Sequence, residues 1–235
     1  MAPLPSLFIV SLPRSCSGLV HLLARQVLGF QEPRWTTDGE ILNVDRLVHF
    51  TGPRDGFSAR FTTGQSDADL FGRLEALLDE VVQPSGFVYK DVIQPFVVSA
   101  WLPTTSLRVL RIVRPVADVA YAMTIRTWDY PAAVASSRRS GDAALVEGLV
   151  RAEAALSGVP GVALRYDDLV TDEDLVMAVL AALYPEVEVG TVRYRNEVFD
   201  RERRRQFARR AVPRYKELAR LVEEMQATPA VPASG

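Results

Sequence analysis

A run of small and basic residues near the N-terminus carries the strongest chemical signal in this sequence. It reads Pro13-Arg-Ser-Cys-Ser-Gly-Leu19, after a short apolar stretch and before apolar residues at helical spacing. A helix that begins after such a turn presents unpaired backbone N–H groups and the positive end of its dipole, and both attract anions. Ser15, Ser17 and Gly18 are small enough for an anion to approach the backbone. Because Arg14 adds a full positive charge, the run predicts a phosphate-binding loop.

Two other loops that handle phosphate do not fit this run. The Walker form requires a Lys and a hydroxyl residue directly after its last Gly. Here Gly18 is followed by Leu19 and Val20. A cysteine-based phosphatase loop places an Arg six positions after its Cys, but Leu22 stands six positions after Cys16. The sequence therefore argues against an ordinary ATPase or GTPase and against a Cys-dependent phosphatase.

Further polar residues stand at the ends of apolar, β-prone stretches. Lys90, Arg114 and Tyr166 each come at the carboxyl end of a predicted strand, as Arg14 does. In open parallel sheets, ligands bind beyond the carboxyl ends of the strands. We therefore expect these four side chains to meet in a single site. Lys90 has the alternative of being an ordinary surface lysine.

The elements that must position these residues alternate between strand and helix. Hydrophobic patterns predict strands at 6–11, 86–90, 107–113 and 162–166. They predict helices at 19–28, 69–82, 96–102, 117–127, 142–157 and 202–225, with one more around Leu175 to Leu183 that Asp167 or Asp168 could cap. Such alternation predicts an α/β fold, a parallel β-sheet flanked by helices on both faces. Residues 31–66 lack periodicity and are expected to form irregular, substrate-facing structure.

Length and composition set the broad class. The 235 residues suit a single domain over 1–226 with a flexible C-terminal tail at 227–235. The formal net charge of −2 argues against a nucleic-acid partner, which usually requires a strong basic excess. With one Cys, no signal-peptide pattern and no apolar stretch of membrane-spanning length, the sequence predicts a cytoplasmic protein without a membrane partner. The sequence carries no signal for an oligomeric state.

One local excess of charge departs from this neutral average. The stretch contains Arg201, Arg203, Arg204, Arg205, Arg209, Arg210 and Arg214. These residues can form a solvated helix face. They can also form a lid or rim that holds an anionic ligand, because Arg matches phosphate oxygens bidentately.

Three segments, in order, resemble the sulfotransferase family. Residues 9–20, Ile-Val-Ser-Leu-Pro-Arg-Ser-Cys-Ser-Gly-Leu-Val, are similar to its 5′-phosphosulfate loop. Residues 112–123, Ile-Val-Arg-Pro-Val-Ala-Asp-Val-Ala-Tyr-Ala-Met, resemble its 3′-phosphate segment. Residues 164–170, Leu-Arg-Tyr-Asp-Asp-Leu-Val, resemble its late strand, which is often written Tyr-Glu-Asp-Leu. The order and spacing match across residues 6–185. The resemblance implies a P-loop NTPase-like sulfotransferase fold.

The same resemblance implies a reaction and a set of roles. The donor would be 3′-phosphoadenosine 5′-phosphosulfate, and a sulfuryl group would pass to a hydroxyl or amine of a small molecule, such as a specialised metabolite, with no metal required. Arg14 would neutralise charge on the leaving phosphate, Lys90 would support the transferring group, and Arg114 would bind the 3′-phosphate. The remaining donor-binding residues implied are Ser15, Cys16, Ser17, Gly18, Leu19 and Tyr166.

Three residues depart from the family pattern. Cys16 replaces a Gly, Gly18 replaces a Thr, and Ala122 stands where a Ser usually helps to bind the 3′-phosphate. Each lost hydroxyl contact can cost about 1–3 kcal/mol if a phosphate oxygen goes unpaired. Two alternatives therefore stay open: an enzyme of this fold that uses another donor, and a non-catalytic protein that binds anions or nucleotides. Cys16 itself can be a nucleophile at the helix N-terminus or a small inert residue.

The residue that accepts the acceptor's proton is left open among three candidates. One branch of the family uses a His as the base, and other branches use a Glu in the segment after the first helix. Here His49 and Glu32 are equal candidates for this role. Asp91, next to Lys90, is the third candidate. His21, within the first helix, is interpreted as structural. Trp35 can stack on adenine or belong to the local core.

Overall fold

A computed structural model of the chain describes residues 3–34, 36, 39–42, 68–127, 130, 137, 139–172, 174–189 and 197–227. Two residues singled out by the sequence, His49 and Trp35, lie outside the described residues. So do residues 43–67 of the predicted substrate-facing region and residues 228–235 of the predicted tail.

Four parallel strands form the sheet at the centre of the fold. They are β1 (Leu7–Ser11), β2 (Val88–Asp91), β3 (Arg108–Val113) and β4 (Val162–Arg165), in the order β2-β1-β3-β4. Leu7 pairs with Val88 on one side and with Arg108 on the other, so the two middle strands are β1 and β3. All five residues of β1 are buried, as its unbroken apolar run predicts.

Helices follow each strand and fill the connections. They are α1 (Ser17–Leu28), α2 (Ala68–Val81), α3 (Pro95–Trp101), α4 (Val116–Thr124), α5 (Gly141–Ser157), α6 (Tyr166–Leu169), α7 (Leu175–Leu183), α8 (Glu197–Arg210) and α9 (Pro213–Ala227). None of the helices among the described residues is long and apolar enough to cross a membrane.

The helices cover both faces of the sheet, as predicted. On one face Phe8 and Val10 of β1 pack in a core formed with α2, α3, α4, α5 and α9. On the other face Leu7 and Ile9 pack with α1, α6 and α7. Successive side chains of a strand point to opposite faces, so β1 supplies both cores. The fold class predicted from the sequence is confirmed.

Two predictions about helices are wrong. The C-terminal helix predicted as continuous over 202–225 is two helices, because Pro213 has no N–H and its ring excludes an uninterrupted helix. Asp167 and Asp168 do not cap α7, because they lie inside the short helix α6 directly after β4. The hydroxyl of Thr171 donates to the carbonyl of Asp167 at 2.9 Å, and the chain leaves helical conformation before α7 begins.

Candidate functional site

The phosphate loop connects β1 to α1 with an unusual backbone. Arg14 and Cys16 have φ values of 65° and 60°, in the left-handed region that favours glycine, and Cys16 forms the N-cap of α1. The buried hydroxyl of Ser15 donates to the carbonyl of Leu12 at 2.8 Å and ties the loop together. Ser15 therefore stabilises the loop through its side chain.

Cys16 is placed as a structural residue. Burial raises the pKa of its thiol, and the negative charge of Glu202 acts in the same direction. A hydrogen bond links the thiol to the Tyr166 side chain. A thiol that stays protonated is a poor nucleophile, so the geometry favours the inert interpretation of Cys16.

The loop forms one wall of a cavity of about 900 Å³. Residues 13–19 line it together with the strand-end residues Lys90 and Arg114 and with Ala122 of α4. Among the described residues, the lining contains seven basic side chains and two carboxylates, in a protein whose formal net charge is −2. The cavity is therefore a local concentration of positive charge, as the strand-end residues predicted. No group of His, Cys, Asp and Glu within the described part of the chain is arranged to hold a metal ion.

Arg114 is the most deeply buried charge in the cavity wall. The residue is 2% exposed, and its guanidinium stacks on the ring of Tyr166 at 4.1 Å from the ring centroid. Nη1 donates to the carbonyl of Arg14, whereas Nε and Nη2 have no hydrogen-bond partner among the described residues. Buried donors are rarely left unpaired in a folded protein, so the two unmatched nitrogens of this cavity-lining residue fit an anionic ligand. Tyr166 contacts Arg114 through its ring and is not among the residues that line the cavity.

Lys90 points from the end of β2 towards the first turn of α1. Its Nζ lies 3.9 Å from the position that a Cβ on Gly18 would take. Nζ also forms an ion pair with Oε2 of Glu40 at 3.2 Å, and both residues are more than nine-tenths buried. The ammonium group of Lys90 therefore lies next to the phosphate loop, at van der Waals distance from the Cβ position of residue 18.

Glu40 reaches this position because residues 39–41 extend the sheet beyond β2. The amide of Lys90 donates to the carbonyl of Gly39 at 2.8 Å, and the amide of Ile41 donates to the carbonyl of Lys90 at 3.3 Å. Gly39 has a φ of 72° and packs so closely on His21 that a Cβ would overlap the imidazole ring. The Nε2 of His21 in turn lies 3.3 Å from the carbonyl oxygen of Val88. His21 thus has a structural role, and it fixes the segment that carries Glu40.

Helix α8 forms the opposite wall of the cavity with one of its faces. Arg201, Arg205 and Arg209, spaced four residues apart, line the cavity. Other arginines of the run pair away from it: Arg203 with Asp200 at 2.6 Å, and Arg214 with Asp142 and Glu217. One face of the arginine run therefore lines the cavity and another pairs at the surface, and binding of an anionic ligand by the first face stays a prediction.

Arg210 anchors α8 to the rest of the domain. Its Nη2 lies 2.8 Å from Oδ2 of Asp118 on α4 and 3.2 Å from Oδ2 of Asp167 on α6. Asp118 is 1% exposed, so the pair is partly withdrawn from water. The hydrogen bond to Asp118 raises the pKa of the Arg210 guanidinium above its usual value.

The structure does not bring Glu32 or Asp91 to the cavity. Glu32 pairs with Arg25 at 2.7 Å, on the outer side of α1. Asp91 points to the other face of the sheet, where its Oδ2 accepts the amides of Ile93 and Gln94 at 3.1 and 2.9 Å. Burial raises the pKa of Asp91 to about 7. His49 lies outside the described residues.

Two carboxylates of the cavity were missed by the sequence analysis. Glu40 lies in a stretch without periodicity. Its pairing with Lys90 depends on the extension of the sheet by residues 39–41, and no pattern in 31–66 predicts that extension. Glu202 stands inside the arginine run, and the interpretation of that run rested on its positive charge alone. The available signal was the spacing of Glu202 three residues before Arg205, because such a pair can form an ion pair on one face of a helix.

Comparison with solved structures finds similarity to two sulfotransferase domains. The sulfotransferase domain from the curacin biosynthetic pathway is 13% identical over 94% of this chain and 99% of its own, with a TM-score of 0.48. The sulfotransferase domain from the Synechococcus PCC 7002 olefin synthase is 17% identical over 99% of this chain and 90% of its own, with a TM-score of 0.42. No protein-family model and no curated protein matches the sequence. Both TM-scores are below 0.5, so the chemistry has to be inferred from the residues of the site.

Proposed function

We propose that this protein is a sulfotransferase that moves a sulfuryl group from 3′-phosphoadenosine 5′-phosphosulfate to a hydroxyl or amine of a small molecule. The observation that carries the proposal is the meeting of the phosphate loop, Lys90 and the unmatched donors of Arg114 in one cationic cavity. A simple nucleotide monophosphate site needs the loop alone. A second buried cation with two unpaired N–H groups fits a ligand with a second phosphate.

The residues of the cavity fit this donor in size and charge. A cavity of about 900 Å³ is in the range of sites that hold nucleotides. The loop amides from residue 15 to residue 18 would hold the 5′-phosphate at the N-terminus of α1, whereas the amide of Leu19 donates to the carbonyl of Cys16 at 3.1 Å. Nε and Nη2 of Arg114 would hold the 3′-phosphate. When bound, the donor supplies a sulfuryl group whose bond to the 5′-phosphate oxygen breaks as the acceptor's bond to sulfur forms.

Arg14 and Lys90 are the cations of the transfer step. Arg14 belongs to the loop, and burial together with the neighbouring charge of Arg126 lowers the pKa of its guanidinium, a sign of crowded positive charge. Lys90 lies against the first turn of α1. Fixed positive charges at a leaving phosphate stabilise the charge that develops there, and they need no reorganisation to do so.

Glu40 replaces Glu32 as the proposed base that takes the acceptor's proton. It lines the cavity and lies beside Lys90, whereas Glu32 is turned away to Arg25. The ion pair at 3.2 Å limits the orientations of the carboxylate. A charged, positioned carboxylate at the cavity wall can accept the proton that an alcohol or ammonium group loses on transfer.

Calorimetric titration with adenosine 3′,5′-bisphosphate tests the donor site. We expect micromolar binding, and much weaker binding of adenosine 5′-phosphate, because only the first ligand reaches Arg114. Arg114→Ala should weaken bisphosphate binding far more than monophosphate binding, while the control Arg203→Ala, outside the cavity, should change neither. Equal weakening of the two ligands by Arg114→Ala would show that this residue does not bind the 3′-phosphate.

Transfer itself is tested with the sulfated donor and a panel of small alcohols, phenols and amines. Mass spectrometry should detect a product heavier by one sulfuryl group, together with stoichiometric adenosine 3′,5′-bisphosphate. Arg14→Ala should abolish the product without changing the circular dichroism spectrum, because it removes charge at the leaving group.

The second candidate is a non-catalytic or differently reacting protein of this fold. It is favoured by the shortage of hydroxyl donors at the loop, where Ser15 is bonded to Leu12 and both Gly18 and Ala122 lack a hydroxyl. The titration separates the candidates. Absence of binding at millimolar bisphosphate would exclude the sulfotransferase proposal.

A further inference from the structure

Glu202 is a carboxylate placed among the cations of the cavity. It lies on α8, and its side chain is 13% exposed. Oε2 accepts the hydroxyl of Tyr166 at 3.2 Å and Nη1 of Arg209 at 3.3 Å. Oε1 accepts Nη1 of Arg205 at 3.3 Å. The carboxylate thus receives donors from two elements, as a bound anion would.

The charges around Glu202 are those of the ligand site. Arg14 and Arg114 interact with it electrostatically, in addition to its direct partners. Burial opposes its ionisation, but the charges of Arg209 and Arg114 hold the pKa of Glu202 below its usual range. Glu202 therefore carries its negative charge among the same cations that would bind a ligand anion.

Other residues besides Glu202 attach α8 to the domain. Arg210 already ties the end of the helix to Asp118 and Asp167, and α9 packs into the core through Leu218 and Val222. A carboxylate that served only to hold the helix would have no need to face the cavity. Its position beneath Arg205 and Arg209 points to a role in ligand binding.

We infer that Glu202 determines ligand specificity by acting as an internal anion that occupies Arg205, Arg209 and the Tyr166 hydroxyl until a ligand phosphate competes for them. A ligand with one phosphate, held at the loop, gains too little to displace the carboxylate. A ligand with phosphates at both ends of the cavity brings enough negative charge to take over its partners. The identity of the favoured ligand as a bisphosphorylated nucleotide rests on the proposed function.

The test compares Glu202→Gln with a matched control on the same helix. Asp200→Asn removes the same charge from α8, but Asp200 pairs with Arg203 away from the cavity. Calorimetry measures Kd for adenosine 3′,5′-bisphosphate and adenosine 5′-phosphate, and ligand-induced shifts in Tm measure binding of inorganic phosphate. Circular dichroism checks the fold, and Glu202→Met serves as a second variant of similar size.

We expect Glu202→Gln to bind inorganic phosphate and adenosine 5′-phosphate about tenfold more tightly and to discriminate less between the two nucleotides, because a short-range repulsion has gone. Asp200→Asn should stay within about twofold of the unaltered protein, since its site is exposed and screened. Weaker anion binding by folded Glu202→Gln and Glu202→Met, or equal gains in Asp200→Asn, would overturn the inference. If no protein binds the bisphosphate but Glu202→Gln still gains affinity for phosphate, the inference stands and the proposed donor is wrong.

Discussion

Cys16 occupies a backbone position that normally falls to glycine. Its φ of 60° lies in the left-handed region, which costs an L-residue about 1–2 kcal/mol. The side chain packs into the core on the α1 face and bonds with Tyr166, which offsets part of the strain.

We expect Cys16→Gly to raise the free energy of unfolding by about 1 kcal/mol, because glycine adopts this conformation without strain. Urea denaturation measures the change. Cys16→Ala is the matched control, since it removes the thiol but keeps the strained backbone, and it should give no gain. Equal stabilisation by Ala and Gly would assign the effect to the thiol and not to φ.

Glu40 and Glu32 provide a matched pair of carboxylates for the proton-transfer role. Glu40→Gln should lower turnover by a factor of about 10² or more, because a positioned base contributes on that order. Binding of adenosine 3′,5′-bisphosphate, measured by calorimetry, should persist. Glu32→Gln should leave turnover near its original value, since Glu32 faces Arg25 outside the cavity. A reversal of these two effects would return the role to Glu32.

Residues at the ends of strands could be predicted from the sequence because two local rules locate them. The β-prone runs before Arg14, Lys90 and Arg114 identify the strands, and the parallel sheet brings their carboxyl ends together. Glu40 follows no such run. Its position depends on pairing with β2 and on the contact between Gly39 and His21, and both are tertiary contacts.

Arg210 is one of the residues that hold helix α8 at the cavity, through its ion pair with the buried Asp118. Arg210→Met would leave the buried carboxylate of Asp118 without its guanidinium partner. We expect a loss of about 2 kcal/mol in the free energy of unfolding, less than for a fully buried pair because Arg210 is partly exposed. Bisphosphate affinity should fall as well, since the helix carries three cavity arginines.

Arg203→Met is the control for this prediction, because it breaks a similar pair with Asp200 at the surface and should cost little. Asp118→Asn in the Arg210→Met background should recover part of the loss by removing the unpaired charge. If the double variant is no more stable than Arg210→Met, the buried charge is not the cause.

Helix and strand boundaries could be predicted where the sequence contains a strong start or stop signal. Gly29 ends α1 with a φ of 65°, as glycine does after many helices. The break between α8 and α9 was not predicted. The charged residues on either side of Pro213 are good helix formers, so their pattern indicated one continuous helix. The short helix α6 was missed because Tyr166 continues the apolar run of β4.

The stability of the whole molecule should decrease as the pH rises from about 4 to about 7. Burial raises the pKa of Asp91 from 3.8 to about 7, so the folded protein keeps a proton that the unfolded chain releases in this window. Burial also raises the pKa of Glu153 to about 7, with the same sign. Stability is then highest on the acidic side of the window and reaches its lower level above pH 7.

Asp91→Asn should remove about half of this pH dependence, because Asn keeps an acceptor oxygen for the amides of Ile93 and Gln94 but does not titrate. Urea denaturation at pH 5 and pH 8 measures the difference, and Glu153→Gln should remove the other part. An unchanged difference in both variants would place the titration elsewhere.

The two walls of the cavity lie far apart in the order of synthesis. The phosphate loop at residues 13–19 is translated long before Arg201, Arg205 and Arg209. A nascent chain therefore carries the phosphate loop for many residues of elongation without the arginines of α8. Capture of a doubly phosphorylated nucleotide by both parts of the cavity thus becomes possible only after α8 has been translated.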